Sequence, residues 1–219
     1  MIAALIAGLA RALTGASVRW VESPSPGRQR VYFANHTSHA DFVAIWAALP
    51  PALRRRTRPV AAADYWERNA LRRYLAKRVF RAVLIDRGGN RPTAEVDSPE
   101  SAERRGQSAI EQMVAVLREG ESLIIFPEGT RGDGVETAPF KSGLYHLAVA
   151  AAEADLIPVR LENLNRVLPK GELIPVPVVA RLTFGAPIGL AAGETRDALL
   201  ERARESVVTL RHTQRPPAS

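Results

Sequence analysis

Short apolar runs alternate with amphipathic stretches along most of the chain from residue 18 onward. Several of the apolar runs are continuous, which is typical of strands buried on both faces of a sheet. We predict strands at 18–21, 31–34, 59–62, 82–85, 123–126, 157–161 and 178–184. Helical periodicity falls between them, at 41–49, 65–80, 107–118, 142–153 and 195–211. This alternation predicts an α/β fold with a mostly parallel central sheet flanked by helices.

The chain begins with ten residues whose side chains are all uncharged, and apolar side chains recur there at helical spacing. This pattern predicts a short amphipathic helix that ends near Gly15. Its apolar stripe is formed by Ile2, Leu5, Ile6, Leu9 and Leu13. Arg11 interrupts the run long before the roughly 20 apolar residues that a bilayer crossing requires, so we expect no span. The stripe could pack on the domain or lie in a membrane interface.

The chain has 219 residues, 46% of them apolar, and is therefore long enough to bury one substantial core. We expect an N-terminal amphipathic helix over 1–17, a single domain over 18–211 and a flexible tail over 212–219. Residues 88–106 are rich in Gly, Pro, Ser, Glu and Arg and lack apolar periodicity. That composition predicts a long exposed loop within the domain.

The charge of the chain is strongly positive, with a formal net charge of +7 at pH 7. Residues 50–91 contain twelve basic and three acidic side chains, a net charge of +9 in that segment alone. Such a balance favours an anionic partner: an acidic membrane surface, a phosphorylated substrate or nucleic acid. The sequence contains no cysteine, which excludes a disulfide scaffold, a thiol nucleophile and any Cys-ligated metal centre.

Two histidines and a carboxylate follow directly after the predicted strand 31–34, namely His36, His39 and Asp41. Active sites of α/β sheets lie at the carboxyl ends of strands, and a His supported by a carboxylate is a suitable general base. In one unbroken helix His36 and Asp41 would lie roughly 140° apart, so the backbone must turn between them. We expect His36 in a loop and Asp41 in the first helical turn. The alternative is that Asp41 only caps the helix and His36 is an exposed side chain.

A second polar segment, with the sequence Phe-Pro-Glu-Gly-Thr-Arg over residues 126–131, follows the apolar strand 123–126. Gly129 permits a close approach of the backbone, and Arg131 offers a planar set of donors that suits phosphate oxygens. Glu128 could hold that guanidinium in place. An ordinary turn with a surface ion pair is the alternative. A third segment ends strand 82–85, where Arg87 could supply a second cation for the same anion.

These segments, together with Ile-Pro-Val at 157–159, resemble in chain order the four sequence blocks of the acylglycerol-phosphate (lysophosphatidic acid) acyltransferases, the glycerolipid acyltransferases of membrane biosynthesis. The first block is similar to residues 35–41, the second to 85–87, the third to 126–131 and the fourth to 157–159. The resemblance covers about residues 30–190. The second block departs from the family pattern, because it lacks the Gly and the aromatic residues that usually precede its Asp-Arg pair.

The resemblance implies a glycerol-3-phosphate acyltransferase-like fold and an O-acyltransferase. Such an enzyme moves a fatty acyl chain from a thioester, acyl-CoA or acyl carrier protein, to the hydroxyl of a lysophospholipid such as 1-acylglycerol-3-phosphate. It implies His36 and Asp41 as the catalytic pair. It assigns acceptor binding to Arg87, Glu128, Gly129, Thr130 and Arg131. No metal and no cofactor beyond the acyl co-substrate are expected.

We also expect the protein to lie peripherally on the cytoplasmic side of the cell membrane, attached by the N-terminal helix and the arginine-rich face. Other functions remain alternatives. A serine hydrolase using Ser38 is disfavoured because no Gly-x-Ser-x-Gly motif is present, and His36, His39 and Asp41 are a thin ligand set for a metal hydrolase. A basic module that binds anionic lipid or nucleic acid without catalysis fits the charge, although no nucleic-acid motif accompanies it. An acyltransferase for a different lysolipid acceptor is a further alternative.

Overall fold

The computed structural model of the chain describes residues 2–24, 27–38, 40–86, 98–132, 136–164 and 180–210. The strands are β1 (Ser17–Trp20), β2 (Arg30–Ala34), β3 (Thr57–Ala62), β4 (Val83–Ile85), β5 (Ser122–Ile125), β6 (Asp155–Glu162) and β7 (Arg181–Phe184). The α-helices are α1 (Ile2–Thr14), α2 (Asp41–Ala48), α3 (Pro51–Arg55), α4 (Ala63–Trp66), α5 (Ala70–Tyr74), α6 (Pro99–Arg118), α7 (Gly143–Ala150) and α8 (Arg196–Thr209). Residues Leu75–Phe80 form a π-helical segment.

The seven described strands form one sheet in the order β1-β7-β6-β2-β5-β3-β4. Neighbouring strands are parallel except for β6 and β7, which are antiparallel. The α/β fold with a mostly parallel sheet is therefore confirmed. Each predicted strand corresponds to an observed one within a few residues, although positions 178 and 179 lie outside the described residues. Because β6, β2, β5 and β3 run in one direction, the segments that follow them meet at one edge of the sheet.

Helices cover both faces of the sheet, and the sheet divides the core into two layers. On β2, Tyr32 and Ala34 face a cluster that includes α1 and α2, whereas Val31 and Phe33 face a cluster formed with α6, α7 and α8. All four side chains are fully buried. Burial on both faces explains why residues 31–34 of this strand form a continuous apolar run rather than an alternating one.

Helix α1 confirms the predicted N-terminal amphipathic helix and packs on α2 through its buried Ala7. Arg11, which interrupts the apolar run in the sequence, binds the carboxyl end of α2. Its Nε donates to the Ala47 carbonyl at 2.7 Å and its Nη2 to the Leu49 carbonyl at 3.4 Å. A cation at this place satisfies helix carbonyls and suits the helix dipole. Among the described residues no helix is both long enough and apolar enough to cross a membrane.

The prediction of one continuous helix over 65–80 is wrong. The chain forms α4, then α5, then the π-helical segment. Asn69 separates the first two, because its extended backbone (φ −145°) and its Oδ1, which accepts from the Arg72 N–H at 2.9 Å, begin a new helix. Arg81, in the left-handed conformation with φ 53°, ends the π-helical segment.

The prediction of an exposed loop over 88–106 is wrong for its second half. Helix α6 begins at Pro99, after Ser98, whose hydroxyl accepts from the Ser101 N–H at 3.3 Å. A Ser N-cap followed by Pro is a strong helix start, but the first turns of α6 are polar and so lack the apolar periodicity by which helices are recognised. Residues 88–97 of the predicted loop lie outside the described residues.

Candidate active site

The His36 and Asp41 side chains are in direct contact at the carboxyl end of β2. His36 lies in the loop after the strand and Asp41 is the first residue of α2, as expected from their spacing. The His36 Nδ1 and the Asp41 Oδ2 are 2.8 Å apart. The Asp41 side chain is completely buried and the His36 side chain is 14% exposed. The alternative of an exposed histidine beside a mere helix cap does not fit this burial.

The Asp41 carboxylate organises the whole turn that carries His36. Besides the imidazole, its Oδ2 accepts from the Thr37 N–H at 2.6 Å and the Ser38 N–H at 2.8 Å. An oxygen that accepts from two backbone N–H groups must also be the acceptor toward the ring, so the His36 Nδ1 carries the proton. The Nε2 of the neutral imidazole is then the atom with a free lone pair, as a general base requires.

The His36 ring is also held from the neighbouring strand. It stacks on Phe126, which follows β5, with ring centroids 4.3 Å apart and an angle of 22° between the planes. The Gly132 N–H donates to the His36 carbonyl at 2.8 Å. The ends of β2 and β5 are therefore joined through the histidine itself, and the ring has little rotational freedom.

Glu128 does not hold the Arg131 guanidinium, contrary to our expectation. Its carboxylate is buried, with Oε1 accepting from the His36 N–H at 2.6 Å and Oε2 accepting from the Ala138 N–H at 2.9 Å. Both oxygens thus bind backbone donors from two other segments of the chain. Glu128 connects the turn after β5 to the loop that carries His36, and this places the imidazole rather than the cation.

The remaining predicted site residues of this turn are close to the histidine loop but differ in exposure. Gly129 has a φ of 75°, a conformation that favours glycine, and is partly exposed. Thr130 and Arg131 are exposed, and in the part of the chain that the structure describes Arg131 has no ion-pair partner. Because Glu128 and Gly132 both contact His36, Arg131 lies between two anchors on the same edge of the sheet. Arg87 lies outside the described residues.

Asn35, to which the sequence pattern assigned no role, is buried between β2 and β6. Its Oδ1 accepts from the Leu161 N–H at 2.8 Å and its Nδ2 donates to the Leu161 carbonyl at 3.0 Å. The amide therefore continues the pairing of the two strands one position beyond their last backbone pair, Ala34 with Val159. A polar residue directly before the histidine was the available signal, but its partner is 126 positions away in the chain.

The geometry gives no support to the two rival enzyme classes. The Ser38 hydroxyl accepts from the Ala40 N–H at 3.2 Å, and no contact with His36 is found among the described residues, so a Ser-His pair is not formed there. The metal-hydrolase alternative needs His39, which lies outside the described residues. His146 is an exposed residue of α7, and His212 also lies outside them.

Comparison with known proteins identifies relatives that share one name. The chain is 26% identical over 183 residues to a 1-acyl-sn-glycerol-3-phosphate acyltransferase from Limnanthes alba, covering 81% of this chain and 57% of that protein. Proteins of the same name from Borreliella burgdorferi and Chlamydomonas reinhardtii are 40% identical over 62 residues and 30% identical over 111 residues. Those matches cover 28% and 49% of this chain, and 24% and 32% of the respective relatives. The chain thus spans little more than half the length of its Limnanthes relative.

The fold also has a solved counterpart. The crystal structure of the 1-acyl-sn-glycerophosphate acyltransferase PlsC from Thermotoga maritima superposes with a TM-score of 0.67 at 20% sequence identity. The match covers 95% of this chain and 78% of that one. The family described as Acyltransferase matches residues 18–162, which is well over half of the chain and includes all four motifs. The resemblance drawn from those motifs is confirmed, and the chain belongs to the acyltransferase family.

Proposed function

We propose that this protein transfers a fatty acyl chain from a thioester to the hydroxyl of a lysophospholipid, with 1-acylglycerol-3-phosphate as the acceptor. The observation that carries the proposal is the buried Asp41 carboxylate bonded to the His36 Nδ1, which leaves Nε2 free. The shared name of the relatives supports the acceptor class. The chemistry needs no metal and no cofactor other than acyl-CoA or acyl carrier protein, which supply the same thioester.

In this mechanism His36 is the general base. Its Nε2 removes the proton of the acceptor hydroxyl as the oxygen attacks the thioester carbonyl, and Asp41 stabilises the imidazolium that forms. The new C–O bond forms, the C–S bond breaks, and the proton passes from the imidazolium to the thiolate that leaves. Proton transfer by a positioned side chain contributes about 10²–10⁴-fold to a rate. The contacts of Asp41 and Phe126 prevent the ring from turning away from the hydroxyl.

Arg131 binds the acceptor's phosphate in this proposal, together with Thr130 and with Arg87 of the second block. The guanidinium is exposed and, within the described residues, unpaired, so it is available to a planar, two-point contact with phosphate oxygens. Binding the phosphate there fixes the position of the hydroxyl relative to His36, which is a proximity contribution. Glu128 acts indirectly as a positioning residue, because it holds the His36 backbone.

The acceptor can be identified with the purified protein, a set of acyl thioesters and a mixed pool of lysolipids, with mass spectrometry of the products. We expect one lysophospholipid with a terminal phosphate to be acylated in preference to the others. Arg131→Met should lower kcat/KM for that acceptor about 10–100-fold, because it removes charge-assisted hydrogen bonds. Arg104→Met, an exposed arginine of α6, is the matched control and should have no effect. Acylation of none of the lysolipids would contradict the proposal.

We further propose that the protein contacts the cytoplasmic leaflet peripherally. Exposed apolar side chains occur on two neighbouring elements, since α1 contacts the π-helical segment that continues α5. They are Ile2, Leu5 and Leu9 of α1, and Leu71 and Tyr74 of α5. Arg68, Arg73 and Arg78 lie beside them, are exposed and have no ion-pair partner in the described part of the chain. Exposed apolar residues flanked by arginines suit an anionic lipid surface.

Not all of the +9 charge of segment 50–91 serves that surface. Arg58 pairs with Glu119 at 3.1 Å and with Glu121 at 3.0 Å, and Arg81 pairs with Glu121 at 3.0 Å. These pairs lie where β3 and β5 begin, at the opposite edge of the sheet from His36. Their arginines are already neutralised within the domain, and the proposed lipid contact does not include them.

Vesicle sedimentation tests this attachment. The Leu5→Gln/Leu9→Gln double variant should lose at least about tenfold in affinity for vesicles containing anionic lipid, because burial of each leucine contributes about 1.5–3 kcal/mol. Val149→Gln, which alters an exposed apolar residue on α7, should bind as the wild type does. High salt should weaken binding if charge dominates, whereas retention at high salt assigns the larger share to α1. Equal affinity for anionic and uncharged vesicles at low salt would contradict the role of the arginines.

A further inference from the structure

The side chain of Lys141 crosses directly over Gly129, in the turn that follows β5. A Cβ atom at Gly129 would lie 2.7 Å from the Lys141 Nζ, 2.8 Å from its Cε and 2.9 Å from its Cδ. A side chain at residue 129 would displace the end of the lysine from this place, so the observed position of the Lys141 side chain depends on the glycine. The positive φ of Gly129 imposes the same requirement independently.

The backbone of Lys141 is fixed on this turn. Its N–H donates to the Pro127 carbonyl at 2.9 Å, and the preceding Phe140 is buried with its ring edge-on to Phe33 of β2. The lysine residue is nevertheless exposed. The long side chain therefore has a defined origin and a direction across the turn, while its ammonium group stays accessible to a ligand.

The ammonium group of Lys141 has no acidic partner within the described residues. The adjacent carboxylate, that of Glu128, is buried and has each oxygen bonded to a backbone N–H. Arg131, two positions from Gly129, is likewise unpaired in the part of the chain described by the structure. The turn after β5 and the Lys141 side chain that crosses it thus bring together two cations, neither of them paired with an acid among the described residues, on the edge of the sheet where the acceptor is proposed to bind.

We propose that Lys141 is a specificity-determining residue that binds the phosphate of the acceptor together with Arg131. This inference rests on the proposed acyl transfer and adds to it the charge state of the preferred headgroup. A terminal phosphate carries about −1.5 to −2 charges at neutral pH, whereas a phosphodiester carries one. Two cations at this turn therefore favour lysophospholipids with a terminal phosphate over those whose phosphate bears a second substituent. A phosphate of coenzyme A could bind the same ammonium group, so the experiment measures the KM for the acceptor and the KM for the acyl donor separately.

Steady-state kinetics of Lys141→Met provide the test. With 1-acylglycerol-3-phosphate we expect KM for the acceptor to rise about tenfold or more, from loss of a charge-assisted contact, while kcat changes little. With a lysophospholipid that carries a phosphodiester, the rise in KM should be smaller by several-fold. Lys141→Arg should restore most of the affinity because it keeps the charge. Lys77→Met is the control. It removes a lysine of the π-helical segment that pairs with Glu67, and it should leave both KM values unchanged.

Three outcomes would overturn the inference. These are an unchanged acceptor KM in Lys141→Met, an equal rise for both acceptors, or a rise in the KM for acyl-CoA alone. Binding of glycerol 3-phosphate, measured by calorimetry on the wild type and on Lys141→Met, gives a readout that does not depend on turnover. If the wild type transfers no acyl group but loses glycerol 3-phosphate binding on this substitution, the proposed function fails while the phosphate contact stands. If transfer is active and glycerol 3-phosphate binding is unchanged by the substitution, the role of Lys141 is refuted and the proposed function stands.

Discussion

Replacing His36 by alanine should remove most of the acyl transfer activity, with kcat reduced by about 10²–10⁴-fold. The reason is the geometry of the ring: Nδ1 is bonded to a buried carboxylate, one face is stacked on Phe126, and Nε2 is the only nitrogen left to remove a proton. Thioester turnover with a saturating lysophospholipid acceptor measures the effect. His146→Ala is the control, because it removes an exposed imidazole from α7 and should leave kcat unchanged.

The same substitution separates an enzyme from a basic binding module. His36→Ala should bind anionic vesicles as well as the wild type does, since the exposed arginines and leucines proposed to contact lipid lie on α1, α5 and the adjoining residues. Transfer that survives the substitution would show that the imidazole is not the base. Loss of vesicle binding, without transfer to any acceptor by either protein, would favour the binding module.

Replacing Asp41 by asparagine should lower kcat by about 10³–10⁴-fold, because the carboxylate sets the tautomer of the general base and stabilises its protonated form. The structure adds a second consequence. Oδ2 accepts from three donors. If the asparagine keeps its amide oxygen at this place, the negative charge is still lost. If the amide is rotated, its own N–H groups face those donors and the hydrogen bonds are lost. We expect the free energy of unfolding to fall by about 1–3 kcal/mol.

Kinetics and chemical denaturation on the same preparation distinguish these two effects. Asp155→Asn is the matched control: it removes a mostly buried carboxylate that pairs with Arg28 at 3.0 Å, where β6 begins. That variant should lose some stability and keep its kcat. If Asp41→Asn retained the wild-type kcat once folded, Asp41 would only shape the turn, and the proposed role in catalysis would be wrong.

Much of the architecture follows from local patterns in the sequence. The central described strands were located because strands buried on both faces form continuous apolar runs, as residues 31–34 of β2 and 123–125 of β5 do. The contact of His36 with Asp41 was also expected, since the two residues lie five positions apart, in the loop after β2 and in the first turn of α2, and their spacing requires a turn between them. Contacts between residues that are close in the sequence depend on local patterns, and so they can be predicted from the sequence.

The helices show where local patterns are insufficient. The break at Asn69 lies inside a stretch with suitable periodicity, and the first turns of α6 form without any. In both cases a single capping side chain, Asn69 or Ser98, determines where the helix begins. One hydrogen bond of this kind contributes about 1 kcal/mol, which is enough to shift a boundary but too little to change the composition of the segment.

The polar residues of the site divide in the same way. Spacing identified His36, Asp41 and Arg131 as reactive or charged groups, but packing assigned Glu128 to the His36 backbone and revealed the contacts of Asn35 and Lys141. Their partners belong to other strands and loops, up to 126 positions away in the chain. What a buried carboxylate or amide does depends on the donors that face it, and those donors arrive only when the sheet assembles. The chemical character of the site residues could therefore be read from the sequence, whereas their hydrogen-bond partners were decided by the tertiary structure.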